Sequence, residues 1–296
     1  MPLPPASASA IAISVLASET VVVAPDADDT ALVVDTYSSA GGQWQAQQVP
    51  VDLPVGAAQI VDAAGTLAGI MVTAQTGAGF SEGAWLGTSD GGGTWQEHLA
   101  PSGGDAIAND GQLWLSGGVG ASSLYRSSDA GETWQKVVVP TTLDQQQLVA
   151  LGPVELTPNG FVVTATDSSQ TQVITGSTSG SLSDGPTLSL GGQYGPGAPA
   201  ESSQADDVLW VVSPVNQVAR VNLSTGQVST VDASGLPTNG TLVLDAISPT
   251  TAWASYTTNA CQTKTACLPE SGVLETTDGG ASWQEMSVTG TSTGTS

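Results

Sequence analysis

Residues 127–134 read Ser127-Ser128-Asp129-Ala130-Gly131-Glu132-Thr133-Trp134, and the same pattern occurs twice more. Thr88-Ser89-Asp90-Gly91-Gly92-Gly93-Thr94-Trp95 precedes it, and Thr276-Thr277-Asp278-Gly279-Gly280-Ala281-Ser282-Trp283 follows it. A worn copy, Gly41-Gly42-Gln43-Trp44-Gln45, keeps the glycines and the Trp and lacks the Asp; Gln follows the Trp in all three good copies. An Asp with Gly two positions on suits a hairpin turn, because the carboxylate accepts bonds from its own turn while Gly takes the positive φ. Flanking Ser and Thr add local hydrogen bonds. The closing Trp is expected to start the next strand and pack into the core. Asp90, Trp95, Asp129, Trp134, Asp278 and Trp283 are therefore expected to staple turns, not to catalyse.

Spacing gives the architecture. Trp44, Trp95, Trp134 and Trp283 are separated by 51, 39 and 149 residues, so the last gap holds about two further units without the motif. Each unit supplies short apolar runs punctuated by Gly, Pro, Asp and Ser, such as Thr-Val-Val-Val-Ala-Pro from Thr20 or Val-Leu-Trp-Val-Val-Ser from Val208. Six units of four strands predict an all-β chain forming a single six-bladed β-propeller, with seven blades as the alternative. The blades are expected at about 8–50, 51–100, 103–140, 145–191, 198–232 and 240–288, the propeller thus covering 8–288, with a flexible tail over 289–296. Every unit reads as complete from first to last strand, so closure would rest on packing between blades and not on a swapped strand.

The pattern S/T-x-D-x-G-x-T/S-W resembles the Asp-box, or bacterial neuraminidase repeat, and three near-complete copies make the likeness specific. In the resembling families the box lies on a peripheral turn away from the active centre. The first family it suggests is the sialidases, which grip a substrate carboxylate with three arginines and use a Tyr–Glu pair and an Asp. This chain has only Arg126 and Arg220, so that clamp is impossible. Xyloglucanases resemble the repeat too, but need two large propellers. The photosystem II assembly-factor propellers are similar in repeat style over most of the chain. They engage partners through an arginine-rich patch that is missing here. With the ligand-binding sortilin domain, these relatives imply a propeller scaffold and a binding role.

Composition narrows the partners. Of 296 residues, 27 are Asp or Glu and 4 are Lys or Arg, giving a formal net charge of -23. No basic patch can be built, which excludes phosphate-led binding to nucleic acid or anionic lipid. Only 10 % of residues are charged, so the acidity reflects missing cations. Low-pH exposure and an extracellular composition rich in Ala, Gly, Ser, Thr and Val both remain open readings. Cys261 and Cys267, in Cys-Gln-Thr-Lys-Thr-Ala-Cys, are expected to close a small disulfide loop, which points to a secreted or cell-surface protein. No stretch is apolar enough to span a membrane, and Met1 is followed by an apolar run without a charged start, compatible with a removed signal or anchor.

Candidate ligand residues fall in the loops between second and third strands and between blades, which in four-stranded blades share the face around the channel. Asp26, Asp28 and Asp29 form an acidic turn that could hold Ca²⁺, although it lacks the spacing and Gly of a known calcium loop. Glu82 and Asp167 lie in two further loops, Tyr194 in an inter-blade loop, and Tyr256 and Lys264 in the long segment around the cysteines. No metal or cofactor beyond that calcium possibility is expected. Glycosidase chemistry needs two carboxylates about 5 to 10 Å apart, and no spacing singles out a pair. The single histidine, His98, falls on a presumed outer strand and could act as a pH switch. No catalytic residue is assigned. The expected function is that of an exported, non-enzymatic propeller binding a protein or cell-envelope component. The alternatives are a carbohydrate-binding or glycan-cleaving propeller and a self-associating surface-layer or filament subunit.

Overall fold

The computed structural model describes residues 11–26, 30–38, 40–77, 80–117, 122–143, 149–190, 200–213, 217–237, 241–263 and 266–286; for 75–77, 80, 201, 241, 259–263 and 266–269 it describes the backbone alone. Blade one is β1 (Ala12–Val15), β2 (Glu19–Pro25), β3 (Ala31–Ser38) and β4 (Trp44–Pro50); blade two is β5 (Ala57–Ala63), β6 (Thr66–Gly77), β7 (Phe80–Gly87) and β8 (Gln96–Ala100). Blade three is β9 (Gly104–Asn109), β10 (Gln112–Gly117), β11 (Ser123–Ser127) and β12 (Gln135–Val137); blade four is β13 (Ala150–Thr157), β14 (Gly160–Thr166), β15 (Thr171–Ser177) and β16 (Leu182–Leu188). Blade five is β17 (Glu201–Ala205), β18 (Val208–Val212), β19 (Gln217–Asn222) and β20 (Val228–Asp232); blade six is β21 (Thr241–Ala246), β22 (Ala252–Thr263), β23 (Ala266–Thr276) and β24 (Gln284–Glu285). Each sheet is antiparallel and takes its four strands consecutively. The fold is a six-bladed β-propeller, and the seven-bladed alternative falls away.

Blades one to four lie almost wholly in one compact unit (1–168, 172–185, 195–199), and blades five and six in a second (169–171, 186–194, 200–296). In the first unit the core is a series of inter-blade clusters, created by the two-residue period of the strands. On β6, Ile70 and Val72 face blade one and join Val21, Val23, Leu32 and Val34. Met71 between them faces blade three, with Trp85, Leu113 and Leu115. Trp114, one residue on from Leu113, points the other way, into a cluster with Phe161, Val163 and Ile174 of blade four. In the second unit Trp210, Val212 and Val218 of blade five pack against Ala252, Ala254, Leu274 and Trp283 of blade six. An unbroken apolar run such as Gly-Ile-Met-Val thus reads as a middle strand buried on both faces.

Two sequence expectations change. The tryptophans that pack deepest are Trp85, Trp114 and Trp210, each under 2 % exposed. Of the motif tryptophans, Trp283 is buried within its cluster, while Trp95 and Trp134 are half-buried and pack against the margins of theirs. The loop expected around Glu82 and the long segment around the cysteines are largely strand, since β6–β7 and β22–β23 continue as hairpins as far as Gly77 and Phe80, and Thr263 and Ala266.

Candidate functional site

The repeat turns come first, because they account for most of the polar residues the sequence singles out. In the turn of blade three, Asp129 Oδ1 accepts from Thr133 N (2.9 Å) and Ser127 Oγ (2.8 Å), and Oδ2 accepts from Thr133 Oγ1 (2.5 Å). Ser127 Oγ in turn accepts from Gly131 N at 2.9 Å. Blade six repeats this with Asp278, Ser282 and Thr276, and blade two with Asp90, Thr94 and Thr88. The Thr133 hydroxyl, then its backbone N–H, hold the Asp129 carboxyl down to about 2, and Ser282 does the same for Asp278, also about 2. The Thr94 N–H and hydroxyl lower Asp90. Blades four and five carry lesser versions: Ser177 Oγ accepts from Ser181 N (3.1 Å), and Asn222 Oδ1 accepts from Thr225 N and Thr225 Oγ1 (both 2.8 Å).

These shifts carry a pH prediction. The folded state binds the ionised carboxylates more tightly than the unfolded chain, so their contribution is full above about pH 5 and is lost as pH falls from about 4 towards 2. Calorimetry is expected to show a melting temperature level from pH 7 to about 5 and falling steeply below about 4, with the fall reduced in Asp129→Asn/Asp278→Asn. A melting temperature that already drops between neutral pH and about 5 would assign the acid sensitivity to other groups.

The turns also join blades. Trp85 Nε1 donates to Ala130 O at 2.9 Å, so the indole of blade two is bonded to the turn of blade three. Trp210 of blade five donates to Ser248 O at 3.2 Å and faces Gly280 of the blade-six turn. Both arginines stack on these middle-strand tryptophans, Arg126 over Trp114 with 5.9 Å from Cζ to the ring centroid and Arg220 over Trp210 with 5.6 Å. Arg220 Nη1 also donates to Pro249 O (3.2 Å). The only two guanidinium groups of the chain are thus engaged in blade packing.

The described ligand-face candidates, Asp26, Glu82, Asp167 and Tyr256, belong to blades one, two, four and six. Asp26 closes the β2–β3 turn, accepting from Thr30 N (2.9 Å), Ala31 N (3.2 Å) and Gln48 Nε2 (3.1 Å). Asp28, Asp29, Tyr194 and Lys264 lie outside the described residues. Glu82 is an exposed strand residue of β7 opposite Ala74, and Asp167 is buried in the β14–β15 connection. Tyr256 is a half-buried strand residue whose ring lies over Gly272; burial, then the charges of Glu285 and Glu270, push its phenol up. Among the described residues no three His, Cys, Asp or Glu side chains group to hold a metal ion. No helix among the described residues is long and apolar enough to cross a membrane.

Two features escaped the sequence reading. The first is a ribbon. β21 pairs with β22 only as far as Thr257, and β24 with β23 only at Leu274 and Glu275, whereas β22 and β23 pair with each other out to Thr263↔Ala266. Among the described residues the backbone of 258–263 and 266–270 therefore projects about 20 Å as two strands without side neighbours. Its signal was the run of Thr, a good strand former, which hides when only apolar alternation is followed. The second is a crevice of about 230 Å³ between blades two and three, with Trp85 and Leu113 at its floor and Ser89, Gln96 and His98 at its rim.

No family model and no curated protein sequence matches the chain. Among solved structures it is similar to YCF48 bound to D1 peptide, at 16 % identity and a TM-score of 0.53, over 95 % of this chain and 81 % of that one. It is also similar to BamB from Moraxella catarrhalis, at 12 % identity and a TM-score of 0.54, over 94 % of this chain and 75 % of that one. A GH74 xyloglucanase from Xanthomonas campestris gives 14 % identity and a TM-score of 0.55, over 95 % of this chain and 46 % of that one, so this chain spans less than half of the enzyme. The likeness is one of fold.

Proposed function

We propose that this chain is an exported, non-enzymatic Asp-box propeller that binds a protein or cell-envelope component through the blade-six ribbon. The ribbon carries the reading. A two-stranded hairpin without neighbours is marginal in water, so the eleven described residues projecting in this way (258–263 and 266–270) need a reason to persist. With one Lys and one Glu, the segment 258–270 is neutral in a chain of formal charge -23. Its unpaired backbone edges suit strand addition by a partner. The YCF48 structure holds a D1 peptide, which supports a peptide-binding use of this architecture without carrying any residue across.

A covalent pin would explain the ribbon's persistence. The side chains of Cys261 and Cys267 lie outside those described, but their backbones are register partners. Val273 O accepts from Met286 N of the β24 side (2.8 Å), so Val273 turns its polar groups away from β22. The two-residue period turns Ser271, Pro269 and Cys267 the same way, and a proline is tolerated only where its missing N–H would face outward. Cys261 and Cys267 therefore form a non-hydrogen-bonded pair, the kind with Cα atoms about 4.5 Å apart, within disulfide reach.

The test replaces 259–269 with an Asn-Gly turn and compares both chains by cross-linking capture from the producing organism's envelope and secreted fractions. Equal melting with about tenfold less partner captured by the shortened chain is expected. Equal capture by both chains would overturn the ribbon's role. Retention on polysaccharide alone would favour the glycan reading, and capture of the chain itself would favour a surface-layer subunit. An intact mass lighter by two hydrogens before reduction is expected; two free thiols would remove the export argument.

A further inference from the structure

We infer that the crevice between blades two and three is a binding site for one uncharged sugar ring. This inference does not rest on the ribbon reading. The crevice is closed below by Trp85, Ala108 and Leu113, all buried, and the apolar surface it presents includes exposed Ala63 and half-buried Ala68. The rim carries Ser89, Gln96 and His98, whose side chains make no hydrogen bond to any described residue. The neighbouring Thr88 and Thr94 hydroxyls, by contrast, are committed to Asp90. Gln96 and His98 are two apart on β8 and so share the face turned to blade three; Ser89 comes from the adjoining turn. A serine hydroxyl, a carboxamide and an imidazole can each donate and accept, which is what ring hydroxyls require. The apolar surface around Ala63 and Ala68 suits the C–H face of the same ring.

Charge and size restrict the class further. No Lys, Arg, Asp or Glu lines the crevice, so an anionic sugar or a phosphate would find no lysine or arginine there, and a basic ligand no carboxylate. The volume of about 230 Å³ falls below the roughly 300 Å³ at which drug-sized ligands begin, which fits a single ring. Small residues keep the space open, Ala63, Ala68 and Gly87 on blade two and Gly111 and Ala130 on blade three.

His98 is the only histidine, so its imidazole C–H resonances report on the site without further assignment. The full chain is titrated at fixed pH with the methyl glycosides of glucose, galactose, mannose and N-acetylglucosamine, and with glucuronate as the charged control. At least one neutral glycoside is expected to shift the His98 signals saturably, with a Kd on the order of 1 mM, and glucuronate to leave them unmoved. Ala68→Leu, which fills the crevice, is expected to weaken binding about tenfold or more. His98→Ala, on the rim where folding is not at stake, should do the same when read by saturation transfer to the ligand. The inference is overturned if no neutral glycoside moves the His98 signals, if glucuronate moves them equally, or if binding survives His98→Ala unchanged.

Discussion

Replacing Trp85 with Ala is expected to lower stability by about 3–5 kcal/mol, the range for a fully buried aromatic truncated without compensation. The indole is 1 % exposed and packs closely against three backbones at once. A Cβ on Gly69 would stand 2.4 Å from Trp85 Cζ2, and one on Gly87 2.9 Å from its Nε1, so its own sheet has been cleared to let the ring lie flat. On its other side a Cβ on Gly131 would stand 2.2 Å from Cδ1. No neighbouring side chain grows from these glycines to collapse into the space, which puts the cost towards the upper end. The Ala130 carbonyl also loses its indole donor. Urea unfolding measures the effect, and Trp95→Ala is the control. Trp95 belongs to the motif but is half-buried, and its Nε1 reaches only Gln47 Oε1 at 3.3 Å, so its loss is expected to cost under about 2 kcal/mol. Equal costs would restore the motif tryptophans as the anchors of the blades.

That contrast shows how far the sequence could be read. Counting repeats works because each blade is a local unit, four strands closed by short turns whose Asp, Gly and Ser chemistry lies within eight residues. The assignment of strands to six blades needs nothing beyond that local pattern. Which tryptophan bears the load is decided by what the next blade offers opposite it, and this is not local: Ala130 lies 45 residues after Trp85. The same reason explains Asp26, whose place in an acidic run suggests a ligand, while its carboxylate is bonded to Thr30 and Ala31 and to Gln48 of β4. The arginines could be counted but not placed. Their cross-strand register with Trp114 and Trp210 makes them packing groups. The crevice was the least legible feature. Ser89 and Gln96 belong to or follow the repeat turn and His98 lies just beyond it, but nothing in the motif points to a cavity, and only the approach of blade three turns these three residues into its rim.

The second large effect is expected at Gly131, where Ala should cost roughly 2–5 kcal/mol, combining left-handed backbone strain with overpacking. The residue sits at φ +93°, and an added Cβ meets the Trp85 ring at 2.2 Å. The adjacent position of the motif makes the comparison sharp. Gly91 has φ +69° and open space around its missing side chain, and its counterpart in blade three is Ala130, which adopts φ 59°. Gly91→Ala therefore only reproduces what another copy of the turn already does, and about 1 kcal/mol is the expected cost. Between these extremes lie Gly280, where a Cβ would approach Val218 Cγ1 at 2.8 Å, and Gly92, where Leu67 Cδ2 stands at 3.2 Å. The predicted order of destabilisation by Ala in urea unfolding is Gly131, Gly280, Gly92, Gly91. It follows the tightness of packing, since the first three share almost the same φ, +93°, +93° and +95°. Costs that are equal across those three would mean the indole and its neighbours give way freely, and the glycine two residues after the Asp would be required by backbone conformation alone. Costs that follow the order would show that the motif's spacing is set by the space one blade leaves for the side chains of another.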